Sequence, residues 1–310
     1  MFGQMHKYRV AGLTAALLLA SPGAFAKDTV LVGLPSIYPP YVGLFVAQKE
    51  GYFRDLGIDV EITQYRSGSA TLEAIAAGAA DVVAAPPASV AVGVQQGLQA
   101  KVVSTFGTLV GWRILVRADS NVRRVEDLAG KTIGITGKAS LTDFLALHAA
   151  SEAKIEMQTI PLGNGVMPAL NARQVDSTVI WPPLSYNLLQ GDKYRSIADF
   201  AGLKDVPTTT WVASSKTIKE KPTAIKAFLS GFKRALIKLQ GDEAYALQAL
   251  QDYTEETNRA VLKQAYDEMI KPADPEGIVT LQGVTAALDF GQVKGIGAAQ
   301  IVDTQFVPIQ

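Results

Sequence analysis

The sequence predicts an α/β protein of two lobes, each a mostly parallel sheet with covering helices, joined by a two-strand hinge. Two observations carry this. The order strand, helix, strand, helix, strand is written twice before the chain turns wholly helical. And one phrase recurs: AIAAGAADVVAAPP (Ala74 to Pro87) returns as ALNARQVDSTVIWPP (Ala169 to Pro183), with Ala74, Ile75, Ala77, Asp81 and Pro87 matching Ala169, Leu170, Ala172, Asp176 and Pro182 at an offset of 95 residues.

In the first lobe, TVLVGLP (Thr29 to Pro35) is a short apolar strand running into the loop SIYPPY. VGLFVAQKEGYF follows as a helix, with Val42, Phe45 and Val46 on its core face and Gly51 as its stop. Ile58 to Tyr65 alternates as a strand. Ser67-Gly68-Ser69 then opens the helix TLEAIAAG, closed by Gly78, and Asp81 leads a third strand into Pro86-Pro87. In the second lobe, ILVRAD, KTIGIT, IEMQTIPL and VDSTVIW read as strands. VEDLAG, a helix from the Gly137–Ser140 turn through His148, and VMPALNAR lie between them. The repeated phrase is therefore expected to be the last helix-turn-strand unit of each lobe. From about Thr217 the spacing is helical, as in Ile225, Phe228, Leu229 and Phe232, and this tail is expected to pack on the first lobe.

Residues 1–26 stand apart. Lys7 and Arg9, an apolar run from Val10 to Ala20, and the small-x-small end Ala24-Phe25-Ala26 read as a secretory signal peptide cleaved after Ala26, leaving Lys27 first and the protein in the periplasm. Of 310 residues, 48% are hydrophobic, enough for ordinary cores without disulfides. There is no Cys, which removes thiol nucleophiles and thiolate metal sites, and outside the signal His148 is the only imidazole. Removing Lys7 and Arg9 from 29 basic residues leaves 27 against 29 acidic, with no basic stripe, so nucleic acid is not an expected partner. The predicted organisation is 1–26 signal, 27–112 with 213–310 as the first lobe, and 113–212 as the second.

In open α/β sheets, ligands sit beyond the carboxyl ends of the strands. That rule places Pro86, Pro87, Ala88 and Ser89 on one wall of a cleft and Trp181, Pro182 and Pro183 on the other. Helix N-termini after Ser36 to Tyr41, Ser67 to Ala70 and Lys138 to Thr142 offer backbone N–H groups suited to anions. Ser36, Ser67, Gly68, Ser69, Ala139 and Ser140 are candidate contacts there, the serines as hydroxyl donors and Lys138 as a charge. Tyr38, Tyr41, Trp112 and Trp181 are candidate aromatic walls. Arg113 is read either as an anion contact or as the partner of a neighbouring acid, and Trp211 as hinge or core.

Five stretches in order (VGLFVAQKEGYFRDLGIDVEI, RSGSATLEAIAAGAADV, RILVRADSNVRRVEDLAGKTIGITGKAS, ALNARQVDSTVIWPP and IVDTQFVP) carry a resemblance. The chain resembles type II periplasmic solute-binding proteins of the alkanesulfonate, taurine, nitrate and thiamine-precursor group. The resemblance implies ligand held between two lobes and delivered to an ABC importer, its permease and its ATPase, by a monomer without cofactor or metal. It also implies that the loop after the first strand, the Ser67-Gly68 loop and the Gly137–Ser140 turn line the pocket. Where the family often carries a second hydroxyl, this chain has Ala139. The expected ligand is a small organic anion, a sulfonate such as taurine or an alkanesulfonate, or an aromatic or aliphatic carboxylate. The alternatives are a neutral heterocycle such as a thiamine-precursor pyrimidine and, on the same fold, an enzyme. Pyrimidine-precursor synthases of this fold use a motif bearing Cys and His, which is absent here, as are G-x-S-x-G, H-E-x-x-H and a phosphate loop.

Overall fold

Ten short strands are sorted into two five-stranded sheets with the same internal order. The computed structural model describes residues 28–203 and 206–306; the expected signal peptide lies outside them. The first sheet runs β2-β1-β3-β10-β4, from β1 (Asp28–Leu34), β2 (Ile58–Gln64), β3 (Val82–Ala85), β4 (Ala100–Gly107) and β10 (Thr209–Ser214). The second runs β7-β6-β8-β5-β9, from β5 (Arg113–Arg117), β6 (Thr132–Ile135), β7 (Gln158–Pro161), β8 (Ser177–Ile180) and β9 (Tyr194–Asp199). In each, the fourth position is held by the strand that has just crossed from the other sheet, β10 or β5, and it runs antiparallel to its neighbours.

The repeated phrase occupies equivalent places. β3 and β8 lie parallel to β1 and β6, with Val32 opposite Val82 and Ile133 opposite Ser177. Both strands are buried throughout, so their near-continuous apolar or small composition is what a covered parallel strand requires. Asp81 and Asp176 tie strand to strand by the same device. The backbone N–H of each donates to the carbonyl of Leu31 or Thr132. Its carboxylate accepts from the N–H of that same residue, at 3.0 and 2.9 Å. The phrase is not the last unit of each lobe: β4 and β9 follow it. Nor does the second lobe extend to residue 212. Thr209–Ser214 is paired within the first sheet throughout, so the return crossing precedes Thr209.

The helices are α1 (Val42–Lys49), α2 (Tyr52–Asp55), α3 (Gly68–Ala76), α4 (Pro87–Gln95), α5 (Leu141–Ala153), α6 (Val166–Asn171) and α7 (Leu184–Leu188), then the tail α8 (Ser215–Glu220), α9 (Pro222–Gly241), α10 (Glu243–Thr254), α11 (Arg259–Ala265), α12 (Leu281–Phe290) and α13 (Ala298–Ile301). α9 buries Ile225, Phe228, Phe232, Leu236 and Leu239 against the first lobe. Gly43 lets α1 approach it: a Cβ there would stand 2.7 Å from the Phe232 ring. Phe45 is not on the core face. It is 37% exposed and lies 4.4 Å, ring to ring, from Tyr253. Trp211 is core, fully buried with its ring 4.6 Å from Phe106 and 5.0 Å from Phe228.

The tail also reaches the second lobe. The Tyr186 hydroxyl on α7 donates to Glu268, Asn187 and Gln190 bond Glu256 and Asn258, and His148 on α5 faces Phe290 on α12 at 4.9 Å. Between the lobes, Gly111 takes φ +78, and a Cβ on it would fall 2.4 Å from the Tyr186 hydroxyl. Only glycine meets both demands at this crossing.

Candidate functional site

The carboxyl edges of the two sheets meet across a narrow, partly open cavity of about 40 Å³. Pro35 and Ser36 follow β1, Ser67 and Gly68 follow β2, and Ala85 and Pro86 end β3. Thr136 and Ser140 follow β6, and Trp181 follows β8. Trp112 precedes β5, while Thr208 and Thr209 open β10; because these strands run antiparallel, their beginnings lie at the same edge.

One side of the cavity is aromatic. Tyr38 sits at the centre, its ring 5.6 Å from Tyr41 and 5.7 Å from Trp112. Its hydroxyl donates to the Thr108 carbonyl at 3.0 Å and accepts from Trp112 Nε1 at 3.4 Å, fixing both rings. Trp181 lies over Trp112 at 5.7 Å with 30° between the planes. Its Nε1 donates across the cleft to the Ile37 carbonyl at 2.9 Å. Burial drives the Tyr38 and Tyr41 phenols far above their ordinary range, so both stay protonated.

The other side is hydroxylic. Ser67 caps α3, accepting from the Ala70 N–H, and shares a 3.0 Å hydrogen bond with Ser69. Ser140 caps α5 and joins Thr136 and Thr142 in a buried cluster.

Of the residues expected to meet ligand, Ser36, Tyr38, Tyr41, Ser67, Gly68, Pro86, Trp112, Ser140 and Trp181 line this cavity; the others do not. Ser69 stands behind Ser67. Ser89, far from facing ligand, bridges the lobes by donating to the Ala139 carbonyl at 2.6 Å. Pro87 and Ala88 are buried in the first turn of α4, and Pro182 packs beside Gly111. Ala139 takes φ 53 and spends both backbone groups on Ser89 and Asp143. Lys138 turns outward: its amine bonds Thr159 and lies 4.0 Å from Asp143, with 64% of its side chain exposed. Arg113 pairs with Asp199 at 2.8 Å.

Sequence reasoning did not single out Pro35, Ala85, Thr136, Thr208 and Thr209, and reached Leu141 and Thr142 only as part of the Lys138 to Thr142 loop. Thr136 ends the stretch KTIGIT and was open to the same carboxyl-end rule that found Trp181. Thr208 and Thr209 needed the knowledge that β10 enters the first sheet antiparallel.

Among the described lining residues none carries a charge. The α5 N-terminus, the turn expected to attract an anion, already holds an acid: Asp143 is 5% exposed and accepts from the Ala139 N–H at 2.9 Å. Pro39, Pro40 and Pro87 themselves bring no backbone N–H to their helix starts.

The model of the family described as NMT1/THI5 like matches residues 39–243, more than half of the chain. The chain belongs to that family. A Haemophilus influenzae protein named for thiamine biosynthesis is 25% identical over 253 residues, 79% of each chain. Among solved structures, the alkanesulfonate-binding protein SsuA from Xanthomonas axonopodis pv. citri, bound to MOPS, superposes with a TM-score of 0.73 at 19% identity, covering 91% of this chain and 98% of that one. The desulfurization enzyme DSZB superposes at 0.61 with 14% identity, covering 90% and 97%. The two-lobed fold is that of the periplasmic binding proteins.

Proposed function

We propose that this protein is the periplasmic substrate-binding component of an ABC importer, and that it holds a small neutral heterocycle between its lobes. The observation that carries the ligand class is a cavity lined by aromatic rings and hydroxyls with no charged side chain. A buried anion with no cation beside it is costly, whereas a neutral ring replaces water at little electrostatic cost. The relative named for thiamine biosynthesis supports a heterocyclic ligand. A binding role fits better than an enzymatic one. No lining residue is a carboxylate, His, Cys or Lys, so nothing there titrates near neutrality for acid–base or nucleophilic work. His148 lies on α5 against Phe290 instead.

The test is to isolate the chain from the periplasmic extract of a Gram-negative host without denaturing it, then identify the released small molecule and the N-terminus by mass spectrometry. A neutral heterocycle and an N-terminus at Lys27 are expected. A sulfonate or carboxylate in the released fraction overturns the ligand class, and a cytosolic chain beginning at Met1 overturns the location.

A further inference from the structure

The hydroxyls of Thr136, Ser140 and Thr142 form a closed ring. Thr136 Oγ1 donates to Ser140 Oγ at 3.1 Å, and Thr142 Oγ1 lies 2.9 Å from each of the other two. All three residues are at least nine-tenths buried, and all three line the cavity. Backbone donors feed the ring as well: the Asp143 N–H reaches Ser140 Oγ and the Thr136 N–H reaches Thr142 Oγ1.

Proton counting fixes what this ring has left to offer. A hydroxyl has one hydrogen and two lone pairs. Ser140 accepts from Asp143 and Thr136 and passes its hydrogen to Thr142. Thr142 accepts from the Thr136 N–H and from Ser140 and passes its hydrogen to Thr136. Ser140 and Thr142 are then saturated. Thr136 has donated once and accepted once, and one lone pair remains on its oxygen. The second lobe therefore presents an acceptor and no free hydroxyl hydrogen. Ser140, expected from sequence to donate to ligand, has no hydrogen to spare. Across the cavity Thr208 Oγ1 is buried near the Tyr38 hydroxyl but makes no hydrogen bond of ordinary geometry. It is free to donate or accept, so it does not discriminate.

We propose that Thr136 Oγ1 is a specificity-determining contact that accepts a hydrogen bond from the ligand, selecting molecules that carry an N–H or O–H donor. Groups that only accept, such as a sulfonate or carboxylate, meet a lone pair here and are disfavoured. This rests on reading the cavity as a site for a neutral heterocycle, and it adds which edge of the ring must face the second lobe.

The experiment is calorimetric titration with 4-amino-2-methylpyrimidine and with 2,4-dimethylpyrimidine, in which a methyl replaces the amine. The wild type is expected to favour the amine by about tenfold or more, the worth of one hydrogen bond plus the cost of leaving its acceptor unpaired. Thr136→Val removes the lone pair and frees the Thr142 hydrogen, so the preference should vanish or invert. Thr136→Ser keeps the oxygen and should retain the preference, which guards against a folding defect in the valine variant. If both pyrimidines bind wild type equally, or if Thr136→Val keeps the preference, the Thr136 role is wrong while the neutral-ligand reading stands. If neither binds, or if ethanesulfonate binds and Thr136→Val leaves its affinity unchanged, both fail.

Discussion

Trp181 acts on the cavity twice. Its ring closes the aromatic wall over Trp112, and its Nε1 donates across the cleft to Ile37. Trp181→Ala removes both. The loss of a partly buried aromatic anchor is on the order of 2 kcal/mol, roughly thirtyfold in affinity. Trp181→Phe keeps a ring and loses only the donor, so it should fall between alanine and wild type in calorimetric titration. Lys138 is the opposite case. Its amine is turned to Thr159 and Asp143 outside the cavity. Lys138→Ala should leave affinity within about twofold, equally at low and high salt, because a solvated charge outside the site contributes little. A loss that grows as salt is withdrawn would mean that Lys138 reaches the ligand after all.

At the scale of elements, the twice-written phrase is a strand-tying device. Asp81 and Asp176 each accept from the N–H of the adjacent strand. Asp81 also holds Thr217 and Lys221, both at 3.1 Å, and so fastens the start of the helical tail to the first sheet. Replacing either Asp by Ala leaves strand donors unpaired, a cost of about 1–3 kcal/mol. Asp81→Ala should lie higher in that range, since it also frees an ammonium. Urea denaturation of the two variants measures the difference, and equal losses would count against the tail-fastening role.

At the scale of the molecule, the contacts that join the lobes include Ser89 to the Ala139 carbonyl, Trp181 to the Ile37 carbonyl, Tyr186 to Glu268, Asn187 to Glu256, Asn258 to Gln190, and His148 against Phe290. Bound ligand adds to them, so a saturating ligand should reduce the radius of gyration in scattering. It should also stabilise the fold, by about 2.7 kcal/mol at a hundredfold excess over Kd. No change in either measure would remove the cleft from consideration. His148 makes stability sensitive to acid. Partial burial lowers its pKa, with Glu152 opposing weakly, so the closed protein holds it neutral. A lowered pKa means that the unfolded chain takes up the proton first. Stability is therefore full above about pH 6.5, the ordinary imidazole value, and falls as pH drops below it. Melting temperatures between pH 8 and pH 5 should decline less for His148→Phe than for wild type.

Much of this was legible in the sequence because it depends on local order. Apolar runs, capping residues such as Ser67 and Ser140, and stopping glycines such as Gly51 and Gly78 act within a few residues, and the repeat of Asp81 in Asp176 announced two like sheets. The carboxyl-end rule then reached Trp181, the helix N-termini reached Ser67, and the aromatic residues of the loops reached Tyr38 and Trp112. What the sequence could not carry was anything set by a strand's neighbours. β4, β9 and β10 are of mixed polarity, and their pairing, not their composition, makes them strands. β10's antiparallel entry is what brings Thr208 and Thr209 to the ligand edge. Side-chain direction was equally out of reach: Lys138 and Ser140 are two residues apart, yet one points to solvent and the other into the cavity. The absence of charge among the described lining residues follows from that difference in direction, which packing against Asp143 and Thr159 imposes.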